Sequence, residues 1–261
     1  MESGFVAVRR VGPIAHVALA RPDVRNAFNA ALIAELHAAF QELDADAGVR
    51  AIVLSGDGKT FCGGADVQWM RASLDLSREA NLEDARAMSR MFRAIDRIAK
   101  PLIGRVHGAA LGGGAGLVAC CDVAIASSDT VFGFTETKLG IMPAVISPFV
   151  LAKIGRSHAR ALALTGERFG AARALAIGLI HEIVPAQVDL DAAVERITNE
   201  VRSAAPTGVA ATKALFARVS EEPYDATLET TAQAIAAQRT SPEGQDGLRA
   251  FLEKRPASWT A

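Results

Sequence analysis

The stretch Gly108-Ala-Ala-Leu-Gly112-Gly113-Gly114-Ala-Gly116 follows the apolar run Leu102 to Val106 and leads into Leu117-Val-Ala-Cys-Cys121. It therefore reads as a turn from a strand into a short helix, here expected over Gly113 to Cys121 and followed by a strand from Asp122 to Ala126. Glycines at such a turn let the chain bend sharply. They also let another group approach the unpaired amides of a helix N-terminus, where partial positive charge favours an anion. A site for an oxyanion or a phosphate is one reading, and close packing of helix on strand is the other. The glycines alone do not separate them. Gly114-Ala-Gly116-Leu-Val-Ala119 also matches the short dinucleotide fingerprint. Its context argues against that use, because the next strand begins almost at once and the turn lies in mid-chain.

A second glycine turn, Phe61-Cys-Gly-Gly-Ala-Asp66, stands between the apolar run Ala51 to Leu54 and the helical-looking Val67-Gln-Trp-Met70. Two strand-to-helix turns can aim two backbone N–H groups at one point, which is how an oxyanion hole is built. Around them the chain winds in a mixed α/β order. Phe5 to Arg10 and Ile14 to Leu19 alternate as a hairpin about Val11-Gly-Pro13, and Leu32, Ile33, Leu36, Phe40 and Leu43 recur at helical spacing. A further helix is expected from about Asp84 to Ala99, stopped by Pro101. From Gln187 onward only helices are expected: Ala192 to Ala204, one beginning at Pro206, one around Leu228 to Gln238, and one ending near Arg255. The expected division is a core over residues 1–200 and a helical region over 201–261.

With 261 residues, half of them apolar, the chain can bury a sizeable core. Its 28 basic residues nearly cancel 29 acidic ones, so no broad positive field exists to hold a nucleic acid. No run resembles a signal peptide or a membrane span, and the expected location is the cytoplasm. Cys62, Cys120 and Cys121 form no Cys-x-x-Cys pair and are odd in number; they are expected in the core, with no zinc site and no disulfide framework.

Taken in order, the two glycine turns, Cys121-Asp-Val-Ala-Ile-Ala126, Phe132-Gly-Phe-Thr-Glu136 and Lys138-Leu-Gly-Ile-Met-Pro143 resemble the signature of the crotonase, or enoyl-CoA hydratase/isomerase, superfamily. Arg21-Pro-Asp-Val-Arg-Asn-Ala-Phe-Asn29, Leu164-Thr-Gly-Glu-Arg168 and Phe251-Leu-Glu-Lys-Arg255 extend the likeness over nearly the whole chain. The resemblance implies a spiral of ββα units followed by a helical region that forms trimers or hexamers. It implies an acyl-CoA substrate, with no permanently bound cofactor and no metal. It places the oxyanion donors at the amides of Ala65 and Gly113, the adenine pocket around Ala65, Asp66 and Val67, and Arg25 beside the segment that helps hold the CoA phosphates and pantetheine. Gly112 and Gly116 fall on the substrate side of the second turn.

Two glutamates usually move the protons in hydratases of this superfamily. The later one resembles Glu136; the earlier position is Gly116, which can do no acid or base chemistry. Taken alone, Thr135-Glu136-Thr-Lys138 reads more readily as a capped helix start with an acid in its first turn; the resemblance reverses that preference. His107, beside the glycine turn, is expected to be structural. The single glutamate and Pro143-Ala-Val-Ile-Ser-Pro148 are most similar to bacterial methylglutaconyl-CoA hydratases, which interconvert 3-methylglutaconyl-CoA and 3-hydroxy-3-methylglutaryl-CoA in leucine breakdown. Isohexenylglutaconyl-CoA and general enoyl-CoA hydratases, and a single-glutamate double-bond isomerase, are the alternatives; a non-catalytic RNA-binding relative is disfavoured by the charge balance. On the glutaconyl reading, glycine at 116 leaves room for a branched, charged acyl chain, and Lys138 is the candidate for receiving its distal carboxylate.

Overall fold

The computed structural model describes residues 4–260. The hairpin forms as the alternation implied, with β1 (Val6–Val11) antiparallel to β2 (Ile14–Leu19). Beyond it the strands of the larger sheet run parallel: β3 (Ala51–Gly56), β4 (Leu102–Val106), β6 (Val123–Ser127) and β9 (Glu182–Val184), in the order β1-β2-β3-β4-β6-β9. A smaller sheet is built from β5 (Ala109–Leu111), β7 (Val131–Gly133) and β8 (Arg168–Gly170), ordered β5-β7-β8. The chain passes from β4 to β5, back to β6, then to β7. This stepping between sheets is the expected ββα spiral.

Both faces of the larger sheet are covered, which explains why Ala51 to Leu54 are apolar without alternation. Ile52 and Leu54 join the main core with Leu32, Leu36 and Phe40 of α1 (Ala30–Ala45) and Met91, Phe92 and Ile95 of α3 (Arg78–Arg97). Ala51 and Val53 face the other way, onto Leu190, Ala193 and Val194 of α7 (Leu190–Ser203). Asn29 caps α1 by accepting from the Leu32 N–H at 2.8 Å, and Ser77 caps α3 by accepting from Ala80 N–H. The three cysteines are buried, and burial pushes the thiols of Cys62 and Cys121 up to about 12, so they are unreactive packing groups.

Between the strands lie α2 (Val67–Ser73), α4 (Gly113–Cys120), α5 (Ser147–Thr165) and α6 (Ala171–Ala176). The chain ends in α8 (Pro206–Val219), α9 (Tyr224–Thr240) and α10 (Pro242–Glu253). In these last three helices only Thr230 and Ala250 are buried. No described helix is long and apolar enough to cross a membrane.

Candidate active site

The two glycine turns are stitched to each other by backbone hydrogen bonds. Phe61 N–H donates to His107 O (3.0 Å), Cys62 N–H to Ala109 O (3.0 Å) and Leu111 N–H to Cys62 O (3.0 Å). The backbones approach so closely that a Cβ on Gly114 would stand 2.5 Å from Cys62 O. That contact excludes any side chain at 114. Gly64 (φ +99°) and Gly112 (φ +52°) take the positive-φ conformations that turn the chain at the two bends. Asn26 anchors the approach to the first turn: its buried side-chain amide donates to Asp57 O (2.8 Å) and Thr60 O (2.7 Å).

Most amides around the two bends are already used. Gly63 N–H donates to Arg25 O, Asp66 N–H to Phe28 O, and Gly112 N–H to Gly133 O. The N–H groups of Ala65 and Gly113 have no protein acceptor among the described residues. Gly113 is the first residue of α4, so its N–H is one of the donors a helix leaves unpaired. Both residues line one cavity of about 340 Å³. The arrangement supplies two fixed donors to whatever oxygen enters it.

Glu136 reaches the same cavity from a short 3₁₀ turn, Glu136–Leu139. Its Oε1 lies 3.2 Å from where a Cβ on Gly112 would stand, while its Oε2 is buried without a hydrogen-bond partner. Burial pushes the carboxyl above the ordinary glutamate value, and its own backbone N–H only partly offsets this. Thr135 makes no side-chain capping bond, while Glu136 does open the 3₁₀ turn as its first-turn acid. Much of the remaining wall is apolar, with Trp69, Met70, Met88, Ile141 and Val145 among its residues. Asp84 is the second carboxylate on the wall, which holds no lysine or arginine among the described residues.

The other expected site residues lie off this wall. Arg25 is exposed beside the first turn and gives its carbonyl to Gly63. Val67 is 68% exposed just past that turn. The Asp66 side chain is buried and already committed: it pairs with Arg21 at 2.8 Å and caps α2 through Gln68 N–H at 2.8 Å. Burial works to raise this carboxyl, but Arg21 and the backbone donors outweigh it and hold it below the usual range. Asp66 therefore shapes the turn through its side chain.

Neither Gly116 nor Lys138 lines the cavity. Gly116 is buried away from the cavity, and a Cβ there would lie 2.4 Å from Ile146 Cγ2 and 3.2 Å from Phe92 Cε1. The room beside Gly116 is occupied by Ile146, which itself lines the cavity. Lys138 is exposed and packs toward Gly166. On a 3₁₀ turn two residues span about 240°, so an inward Glu136 sends Lys138 outward. His107 is buried with Nε2 3.0 Å from Gly58 O, a structural role as expected. Trp69 and Met88 were not singled out from sequence, where they read as ordinary helical apolar residues; Ile146 was quoted only as part of Pro143-Ala-Val-Ile-Ser-Pro148.

Residues 9–261 match the enoyl-CoA hydratase/isomerase family. The chain is 32% identical to the short-chain-enoyl-CoA hydratase of Clostridium acetobutylicum, over 98% of this chain and 97% of that one. It is also 32% identical to the 2,3-dehydroadipyl-CoA hydratase of Escherichia coli, over 91% of each. The crystal structure of an enoyl-CoA hydratase from Shewanella pealeana superposes with a TM-score of 0.95 at 38% identity, covering 99% of this chain and 97% of that one. A match of this extent, on a fold whose two paired turns leave the Ala65 and Gly113 amides open beside Glu136, places the chain in the enoyl-CoA hydratase/isomerase family.

Proposed function

We propose that this chain is a hydro-lyase for 2-enoyl thioesters of coenzyme A, adding water across the α,β double bond and removing it in reverse. The observation that carries this reading is the unpartnered carboxyl of Glu136 in one cavity with the open amides of Ala65 and Gly113. A thioester carbonyl accepting from the two amides gains most when the oxygen becomes an enolate, so the donors favour the transition state over the ground state. Ionised Glu136 takes a proton from water as the water oxygen bonds to the β carbon and the π electrons move onto the thioester oxygen. The resulting carboxylic acid gives that proton to the α carbon as the enolate collapses. One carboxyl thus serves as base and then acid, and its raised pKa brings the two roles closer in free energy.

For the acyl group, the apolar wall favours an uncharged enoyl chain. The 3-methylglutaconyl-CoA reading is supported by Pro143-Ala-Val-Ile-Ser-Pro148, whose Ala144, Val145 and Ile146 lie on the wall. With no basic residue on the described wall, a distal carboxylate would depend on solvent or on a second subunit. We propose further that the chain forms a trimer or a pair of trimers in the cytoplasm, with residues 1–200 carrying the site and 201–261 the contacts. Exposed Phe216, Leu228, Phe251 and Leu252 support that assembly.

The test is turnover of crotonyl-CoA, 3-methylglutaconyl-CoA and a β,γ-enoyl-CoA in ¹⁸O-labelled water. A hydratase yields 3-hydroxyacyl-CoA carrying the label. Double-bond migration without label would establish an isomerase instead. A kcat/KM for 3-methylglutaconyl-CoA well above that for crotonyl-CoA would decide for the branched diacid.

A further inference from the structure

The catalytic cavity has a neighbour. A recess of about 200 Å³ lies between α1 and α3, lined by Ile33, Ala34 and His37 from one helix and Ala87 and Arg90 from the other. Two residues, Trp69 and Asp84, belong to the walls of both spaces. Trp69 is partly buried, packs against the main core, and its indole N–H donates to no protein acceptor among the described residues. Among the described residues, packing alone holds the ring where it stands. Small side chains, Ala34 and Ala87, are among those that line the recess. His37, whose buried Nδ1 has no partner, and Arg90, which enters no ion pair among the described residues, keep one part of it polar.

We propose that Trp69 is the residue that sets acyl-chain length: its indole closes the catalytic cavity against this second recess, and a longer chain is accommodated only where the ring is absent or displaced. The inference rests on the cavity being the acyl site. In the wild type the chain of a short substrate ends against the indole, and added methylenes find no new apolar surface. With the ring removed, the two spaces join, and each methylene that becomes buried gains about fourfold in affinity.

The experiment compares kcat/KM for 2-decenoyl-CoA and crotonyl-CoA in the wild type, in Trp69→Ala, and in Trp69→Ala combined with Ala34→Phe. Ala34 is exposed, so the phenylalanine can be placed in the recess without strain on the core. The expected result is a rise of about tenfold or more in the decenoyl-to-crotonyl ratio for Trp69→Ala, returning toward the wild-type ratio when the recess is refilled. A ratio unchanged in folded Trp69→Ala overturns the proposal, and so does a rise that survives Ala34→Phe. Should Trp69→Ala not fold, Trp69→Leu makes the same comparison with a smaller opening. Calorimetry with unreactive butyl- and decyl-CoA thioethers separates the two levels of the argument. If the wild type turned over no enoyl-CoA, the hydratase reading would fail, whereas a decyl preference gained only by the Trp69 variants would still support the gate.

Discussion

Helices α3 and α10 both carry an apolar stripe beside a polar face, yet the two stripes end differently. Met91, Phe92 and Ile95 of α3 are fully buried, while Phe251 and Leu252 of α10 are 83% and 77% exposed. Helices α1 and α4 pack on the first helix, whereas among the described residues no element covers Phe251 and Leu252 of the second. The C-terminal helical region is tied to the core in part by polar bridges: Lys213 of α8 to Asp122 (2.6 Å), Arg97 to Glu221 in the loop after α8 (2.7 Å) and Arg50 to Trp259 O beyond α10 (3.0 Å). Amphipathicity alone therefore says that a face will be covered, and not by what. In the core the cover is intramolecular and the catalytic cavity depends on it. At the C-terminal end, another chain supplies it on the proposed reading.

The contrast is sharpest at glycines. Gly116→Glu should be the most damaging change, because even its Cβ would stand 2.4 Å from Ile146 Cγ2. We expect a loss of about 3 kcal/mol or more in urea unfolding and a comparable fall in kcat/KM for crotonyl-CoA and 3-methylglutaconyl-CoA. Adding Ile146→Ala should recover part of the stability. A selective effect on the charged substrate, with stability intact, would revive charge exclusion as the reason for this glycine.

At the other end, Phe251→Ser with Leu252→Ser should leave the core's circular dichroism unchanged and shift sedimentation toward monomer at micromolar concentration. A wild type that already sediments as a monomer would remove the assembly from the account. Smaller still is Gly208→Ala in α8, where the new Cβ meets its nearest neighbour, Ala205 Cβ, at an ordinary 3.5 Å. This change should stabilise by about 0.4–1 kcal/mol through helix propensity and a less flexible unfolded chain. Destabilisation there would show that the C-terminal helices are packed as tightly as the core.

Glycine turns, the hairpin and the long amphipathic helices were legible because each is a local signal. The amides of Ala65 and Gly113 were reached through resemblance, and their lack of an acceptor appears only when the two turns are seen paired. What escaped was non-local or very short. The strands β5, β7 and β8 have three residues each, too few for an alternation to register. Helix α5 is interrupted by Gly155 (φ 71°, ψ 162°), which breaks the 3.6-residue pattern. That Ile146 fills the space beside Gly116 joins residues from different elements, and no spacing rule contains it. Lys138 faces outward although it stands two residues from Glu136, because a 3₁₀ turn carries the chain round by about 240° over that distance.

Glu136 carries the central claim, and pH offers a check on its environment. Its carboxyl is raised on folding, so ionising it costs the folded state. Below the ordinary carboxyl value, wild type and Glu136→Gln should differ little in Tm. As pH rises through the raised value, the wild type should lose stability relative to the variant. The same ionisation should give kcat/KM an acid limb above the ordinary glutamate range, since both hydration and dehydration begin with the carboxylate.

The most direct measurement is the rate of crotonyl-CoA hydration, followed by loss of the enoyl-thioester absorbance, for wild type and Glu136→Gln. The variant is expected to fold, to bind CoA thioesters, and to lose about 10²-fold to 10⁴-fold in kcat. Turnover within a few fold of wild type, with the acid limb retained, would contradict it and move the proton transfer to another group on the wall.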